Sequence, residues 1–176
     1  MNNKTYYKTE YESPLGNIII CCDEDENVVG LWFKKQKYLA ESIKDEVIES
    51  NNLKIFIQTK DWLDKYFAGK KPNIKEIPIK FIENEFRKSV WEILCKIPYG
   101  KTITYGDIAK QISQQKGITK MSAQAVGGAV GHNPIAIIVP CHRVIGKNGK
   151  LTGYAAGIAK KKKLLELEQV SMINYR

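Results

Sequence analysis

The residues best suited to covalent or metal chemistry in this chain are Cys21, Cys22, Cys95 and Cys141, with His132 and His142. No C-x-x-C pair occurs, and only the two histidines could join a cysteine, so no metal site is expected. Four cysteines this sparse and irregular also give no disulfide framework. Cys21 and Cys22 are adjacent in an apolar run and read as small residues filling a sheet. Cys141 differs, because His142 and Arg143 follow it at once. Both are residue types that lower a thiol pKa, ordinarily about 8.5, and so create a nucleophile at neutral pH. Neighbours on an extended segment point apart, so a water is expected between His142 and the sulfur. The Cys-His pair alone leaves two readings open, an inert buried cysteine and a cysteine hydrolase.

The elements around Cys141 narrow what it could act on. Ile135-Ala136-Ile137-Ile138-Val139 is wholly apolar and predicts a strand buried on both faces, which delivers Cys141 at its end. Lys147-Asn148-Gly149-Lys150 carries the Asn-Gly turn of a hairpin. A last helix is expected over about 159–169, with Leu164, Leu165 and Glu168 in its final two turns. Lys160 to Lys163 at its start read as a solvated run. Upstream, Phe86, Val90 and Leu94 share a helical face, and Pro98-Tyr99-Gly100 stops that helix. Thr104 and Asp107 form a capping box for a short helix, a polar loop is expected from Ser113 to Lys120, and Ser122 caps a second short helix.

That second helix, Ala123 to Val130, is built of small residues, and its adjacent Gly127 and Gly128 each cost about 1 kcal/mol of helix propensity. Something must approach its backbone closely, either another helix or a nucleic-acid groove. Charge bears on the choice. Residues 1–82 hold 13 basic and 13 acidic residues, whereas 83–176 hold 15 and 6, so the whole net charge of +9 lies in the second half. Segregation of this kind suggests a polyanion-binding half, with a helix-turn-helix as its reader.

The first half gathers no catalytic residue types and reads as a scaffold. Tyr6–Tyr11, Asn17–Cys22 and Val28–Phe33 predict three strands of an antiparallel meander, with turns at Ser13-Pro14-Leu15-Gly16 and Asp23–Asn27. Helices are expected over 38–50 and 53–67, the latter ended by Gly69-Lys70-Lys71-Pro72, and a connector with one possible strand over 72–82. The boundary is therefore placed between 82 and 83. No apolar run is long enough to span a bilayer, and the first residues lack a signal-peptide core, so a cytoplasmic protein is expected. Frequent lysine, isoleucine and asparagine point to an AT-rich bacterial or archaeal genome.

Pro140-Cys141-His142-Arg143-Val144 resembles the signature of the O6-alkylguanine-DNA alkyltransferases. The resemblance continues through Ile97–Thr102, Thr104-Tyr105, Ala125–Ala129, Asn133-Pro134, Gly153-Tyr154, Lys161, Leu164-Leu165 and Glu168, and reaches the first half at Ser13–Gly16 and Gly30–Phe33. It implies an α+β fold, with an N-terminal ribonuclease-H-like antiparallel sheet and helices, then a helical winged-helix (helix-turn-helix) domain carrying the cysteine. It implies Cys141 as a single-use alkyl acceptor, His142 as its base through a water, and Glu168 as the carboxylate that orients the histidine. Asn133 would brace the active-site turn. Tyr105 would crowd the target phosphate and protonate the departing guanine. Tyr154, Val144, Ala155 and Val130 would line the base pocket. Ser122, Gln124, Ala125, Gly127, Gly128 and Ala129 would meet DNA in the minor groove. The implied partner is double-stranded DNA containing O6-alkylguanine, possibly with O4-alkylthymine as a second lesion; no cofactor, no membrane and a monomer are expected. Gln124 stands where many members place an intercalating arginine, and Ala155 and Ala156 replace small polar or glycine residues.

Overall fold

A computed structural model describes residues 4–172 and 175. They divide into two compact units: the chain up to Ile82 with Pro134–Ala136, and Glu83–Asn133 with the chain from Ile137 onward.

The first unit is organised by a four-stranded sheet in the order β3-β2-β1-β4. β1 (Thr5–Ser13), β2 (Gly16–Cys22) and β3 (Val28–Phe33) form the antiparallel meander, turning at Gly16, whose φ of 113° suits glycine. Cys21 and Cys22 are buried in β2, as the apolar run predicts. All six residues of β3 are buried, and its outer edge is covered. Val28 exchanges backbone hydrogen bonds with Pro78 and Lys80, and Leu31 with Pro134 and Ala136. The possible strand within 72–82 is a single bridge at Ile79 beside a short 3-10 turn, Ile74–Glu76.

The helix expected over 38–50 does not form. Tyr38 and Ala40 adopt left-handed backbone conformations, and Glu46–Glu49 becomes β4, a strand parallel to β1 with every residue exposed. Backbone pairing with the edge of β1 takes the segment instead: Ala40 and Ile43 pack against the cluster around Tyr6 and Trp32, while Val47 and Ile48 stay exposed. The next helix does form as α1 (Lys54–Phe67). It buries Ile55, Phe56, Thr59, Trp62, Leu63 and Tyr66 on one face. Its N-cap residue, Leu53, offers no side-chain acceptor; Glu26, from the turn between β2 and β3, accepts from Ile55 N at 2.9 Å instead.

The second unit is mostly helical. α2 (Glu85–Leu94) is capped by Asn84 and buries Trp91, whose indole donates to Ala129 O at 2.8 Å. α3 (Tyr105–Lys116) opens on the Thr104–Asp107 capping box and ends at left-handed Gly117, so the polar loop begins later than the sequence suggests. α4 (Ala123–Gly131) is capped by Ser122, as expected. β5 (Ile103–Thr104) and β6 (Val144–Ile145) form a two-residue parallel ladder, and α5 (Ile158–Leu167) closes the unit. No described helix is long and apolar enough to cross a membrane.

The expected strand at 135–139 is a correction. The run is fully buried, but only Ile135 makes a bridge, and the chain reverses through Ile137 with φ at 68°. Apolar content reported burial correctly and could not report the turn. The Asn-Gly turn is present, with Asn148 and Gly149 both left-handed and Gly146 N bonded to Lys150 O at 2.7 Å, but no antiparallel strands flank it.

Gly30 tests the packing of β3. A Cβ there would fall inside the ring of Trp32, which is 2% exposed and cannot yield. Gly30→Ala should therefore cost about 2 kcal/mol or more, read as a lowered denaturant midpoint at an unchanged slope.

Candidate active site

Cys141 opens a one-turn 3-10 segment, Cys141–Arg143, rather than ending a strand. The tight turn sends consecutive side chains to different tasks. Cys141 is 7% exposed, and His142 is fully buried. Asn133 stabilises the approach: its Nδ2 donates to Val139 O at 2.8 Å, and its side chain also hydrogen-bonds Cys141.

The buried centre of the site is Glu168, the C-cap residue of α5. A carboxylate at a helix C-terminus meets the wrong end of the dipole, so it must be compensated. Four N–H groups do so. His142 Nε2 meets Oε1 at 2.6 Å, Arg143 donates from Nε at 2.8 Å and Nη2 at 2.9 Å, and Gly100 N donates at 3.1 Å. Gly100 has φ of 75°, and a Cβ on it would lie 3.0 Å from Glu168 O, so the donor is presented by a residue that must be glycine. Arg143 also donates to Ile97 O at 2.6 Å, and its guanidinium lies 5.6 Å from the centre of the Tyr99 ring.

This arrangement overturns one expectation. Arg143 acts on Glu168 and not on the thiol. The groups that favour the Cys141 thiolate are the Asn133 side chain and the charge of Lys161. Burial outweighs them and pushes the resting thiol up. Burial likewise holds the His142 imidazole below its ordinary value; Glu168 opposes this, and Arg143 and Lys161 reinforce it. Burial alone would raise Glu168, but its bonds to His142 and Arg143 hold it far below the usual carboxylate range. The resting site is therefore a thiol, a neutral imidazole and a carboxylate. His142 Nδ1 is buried and makes no hydrogen bond among the described residues.

Tyr105 opens α3, and its hydroxyl donates to Thr152 O at 2.9 Å. Tyr154 is half-buried with its hydroxyl enclosed, and Ala155 is half-buried beside it in the chain. Val130 and Val144, expected to line a pocket, are 5% and 0% exposed and pack into the core. On α4, Ser122, Gln124, Ala125 and Gly128 are exposed and Gly127 is half-buried. Ala129 is 3% exposed and faces inward, so it is withdrawn from the DNA-facing set. Helical periodicity could have shown this, since Val126, Ala129 and Val130 are the buried residues of α4. Nothing inside the protein explains Gly128: a Cβ there would meet no atom within 4 Å, and one at Gly127 only the Tyr105 ring at 3.8 Å. Close packing against another helix is thus not the reason for these glycines. Sequence reasoning missed the roles of Arg143, Gly100 and Lys161.

Two models of a single family match most of the chain. The ribonuclease-like domain of 6-O-methylguanine DNA methyltransferase matches residues 6–81, and the DNA binding domain of the same family matches residues 85–170. The chain belongs to the 6-O-methylguanine DNA methyltransferase family. Among members of this family, the methylated-DNA–protein-cysteine methyltransferase of Methanosarcina acetivorans is 46% identical over 92% of this chain and 97% of its own length. That of Haemophilus influenzae is 36% identical over 96% and 89%. The crystal structure of Mycobacterium tuberculosis OGT in complex with DNA matches with a TM-score of 0.79 at 38% identity, covering 94% of this chain and 92% of that one.

The buried pair gives a pH dependence. His142 sits below its ordinary 6.5, so below that pH the unfolded chain binds a proton the folded chain refuses, and stability falls. Glu168 sits below its ordinary 4.5, and its contribution is lost as pH drops further, through its folded value. The melting temperature should decline from pH 7 to pH 5, and His142→Gln should flatten that decline; an equally steep decline in the variant would refute the assignment.

Proposed function

We propose that this chain repairs DNA by direct reversal, moving the alkyl group of O6-alkylguanine, and of O4-alkylthymine where it is accepted, onto Cys141. The observation that carries this reading is the 2.6 Å contact between His142 and Glu168, held in the turn that presents a nearly closed cysteine. It is the base–orienter half of a nucleophile relay.

The thiol proton leaves through a water toward neutral His142, whose imidazolium Glu168 stabilises. Sulfur attacks the alkyl carbon, the S–C bond forms and the O6–C bond breaks. The guanine leaves with a proton from the Tyr105 hydroxyl, which must first release Thr152 O. The proton on His142 returns to the tyrosinate, so the balance is one alkyl group moved and one thiol proton passed to guanine. The product is a thioether, which has no ionisable S–H left to serve as nucleophile. One chain therefore acts once.

A base in a duplex cannot reach a thiol this enclosed, so the nucleotide is rotated out of the stack. Tyr154 and Ala155 are the half-buried side chains available to receive it. The exposed small residues of α4, with Gln124 as an uncharged finger, suit the narrow minor groove. The basic excess of residues 83–176 supports sequence-independent phosphate binding. In this reading residues 83–176 form the DNA-binding and acceptor domain, residues 1–82 the scaffold, and the protein works as a monomer in the cytoplasm of a bacterium or archaeon.

Incubation with methylated duplex should add one methyl group per chain, on the peptide containing Cys141, by intact-mass and peptide analysis. Repeated turnover would instead indicate a hydrolase, and modification at Cys21 or Cys95 would remove the mechanism. A second experiment concerns Gly128→Ala. Helix propensity should raise stability by about 1 kcal/mol, since the new methyl meets nothing inside the protein. Duplex binding should weaken several-fold, and unchanged binding would take α4 out of the interface.

A further inference from the structure

Tyr99 stands between two groups that serve the Glu168 network, yet its own side chain takes no part in moving the proton or the alkyl group. Ile97 O accepts from Arg143 Nη1 at 2.6 Å, and Gly100 N donates to Glu168 at 3.1 Å. Lys101 N donates to Pro98 O at 3.1 Å, and Gly100 has φ of 75° whereas Tyr99 does not turn left-handed. Pro98–Lys101 is therefore a type II turn with Tyr99 at its second position. The turn aims a backbone donor at Glu168 and leaves the Tyr99 side chain to act separately.

That side chain reaches both partners of the buried ion pair. Its ring centre lies 5.6 Å from the Arg143 guanidinium carbon, within cation–π range. The ring is half-buried and Arg143 is 9% exposed, so the tyrosine forms part of the cover that keeps water from the pair. Its hydroxyl donates to Leu167 O at 3.2 Å, on the residue immediately before Glu168. The last carbonyls of a helix lack partners within it. At the end of α5, the N–H groups of Glu168, Gln169 and Val170 meet Leu164 O, Glu166 O and Leu165 O, and the tyrosine meets Leu167 O. Burial first, and then the Glu168 charge, push the phenol up, so the hydroxyl keeps its proton as a donor; Arg143 acts the other way.

We propose that Tyr99 is a positioning residue for alkyl transfer: its ring covers the Arg143 guanidinium while its hydroxyl anchors the backbone that carries Glu168, so the carboxylate stays aligned on His142. This deepens the alkyl-transfer reading and rests on it for the roles of His142 and Glu168. His142 is a cation only while the proton is in transit, and its counter-charge must already be in place when it forms. A carboxylate whose guanidinium admits water, or whose backbone drifts at the end of α5, would turn toward solvent at that moment.

The test uses Tyr99→Leu, which removes the ring and keeps apolar bulk, and Tyr99→Phe, which removes the hydroxyl alone. Hydrogen exchange at Arg143 Nε, followed by its 15N resonance, needs no DNA and reads the ion pair directly. It should quicken about tenfold in Tyr99→Leu and stay within about twofold of wild type in Tyr99→Phe. Single-turnover transfer from methylated duplex should slow about tenfold in Tyr99→Leu and about threefold in Tyr99→Phe. Both variants should still end at one methyl group per chain, with affinity for undamaged duplex within about twofold of wild type. Unchanged exchange in a folded Tyr99→Leu would overturn the cover, and unchanged transfer in Tyr99→Phe would overturn the anchor. A lowered end point at an unchanged rate would reduce Tyr99 to folding alone and sink the proposal. No transfer by the wild type would instead overturn the alkyl-transfer reading, and the exchange result would still decide the placement of the pair. Should Tyr99→Leu not fold, wild type and Tyr99→Phe must share an upfield ring-current shift at Arg143 Hδ, and its absence would refute the cover.

Discussion

One carboxylate sets the order of the site. Glu168 receives N–H groups from His142, Arg143 and Gly100, three places far apart in the chain or on opposite sides of the same turn. A buried ion pair of this kind adds little net stability compared with apolar packing, yet losing one partner costs about 3–5 kcal/mol because the other charge is stranded. The gain is geometric. The imidazole is fixed by its far nitrogen, the Ile97–Gly100 turn is pinned to the end of α5, and the guanidinium satisfies Ile97 O as well. Cys141 itself makes none of these bonds; its side chain is held by Asn133 instead.

The charges divide their labour in a way the order Cys-His-Arg does not suggest. Arg143 neutralises the carboxylate, and the cation that bears on the sulfur comes from α5. The resting thiol stays protonated because burial dominates, which protects it from casual oxidation or alkylation. The same burial keeps His142 neutral, the form that can accept a proton.

Much of the fold is legible because it is written locally. The meander, α1, the Thr104–Asp107 capping box and Ser122 are signals carried within a few residues, and each appears where expected. What fails is information held elsewhere in the chain. An apolar run from Ile135 to Val139 says that the segment is buried and nothing about Ile137 turning left-handed. β4 exists because β1 has a free edge, which its own sequence does not announce. Glu26 caps α1 from a distant turn. At the site, Cys141, His142 and Glu168 are identified through the family signature, because 25 or so intervening residues leave no spacing rule that would bring the carboxylate to the histidine. The inward face of Ala129 and the burial of Lys161 were available from helical periodicity, in α4 and α5 alike, but composition drew attention instead to small size and to charge.

Pro134–Ala136 belongs to the sheet of the first unit although it lies deep in the sequence of the second. During synthesis, the outer edge of β3 therefore stays unpaired at Leu31 until the chain has advanced to Ala136, long after Ile82 has emerged. The first unit completes its hydrogen bonding only once a segment from the middle of the second half has been made.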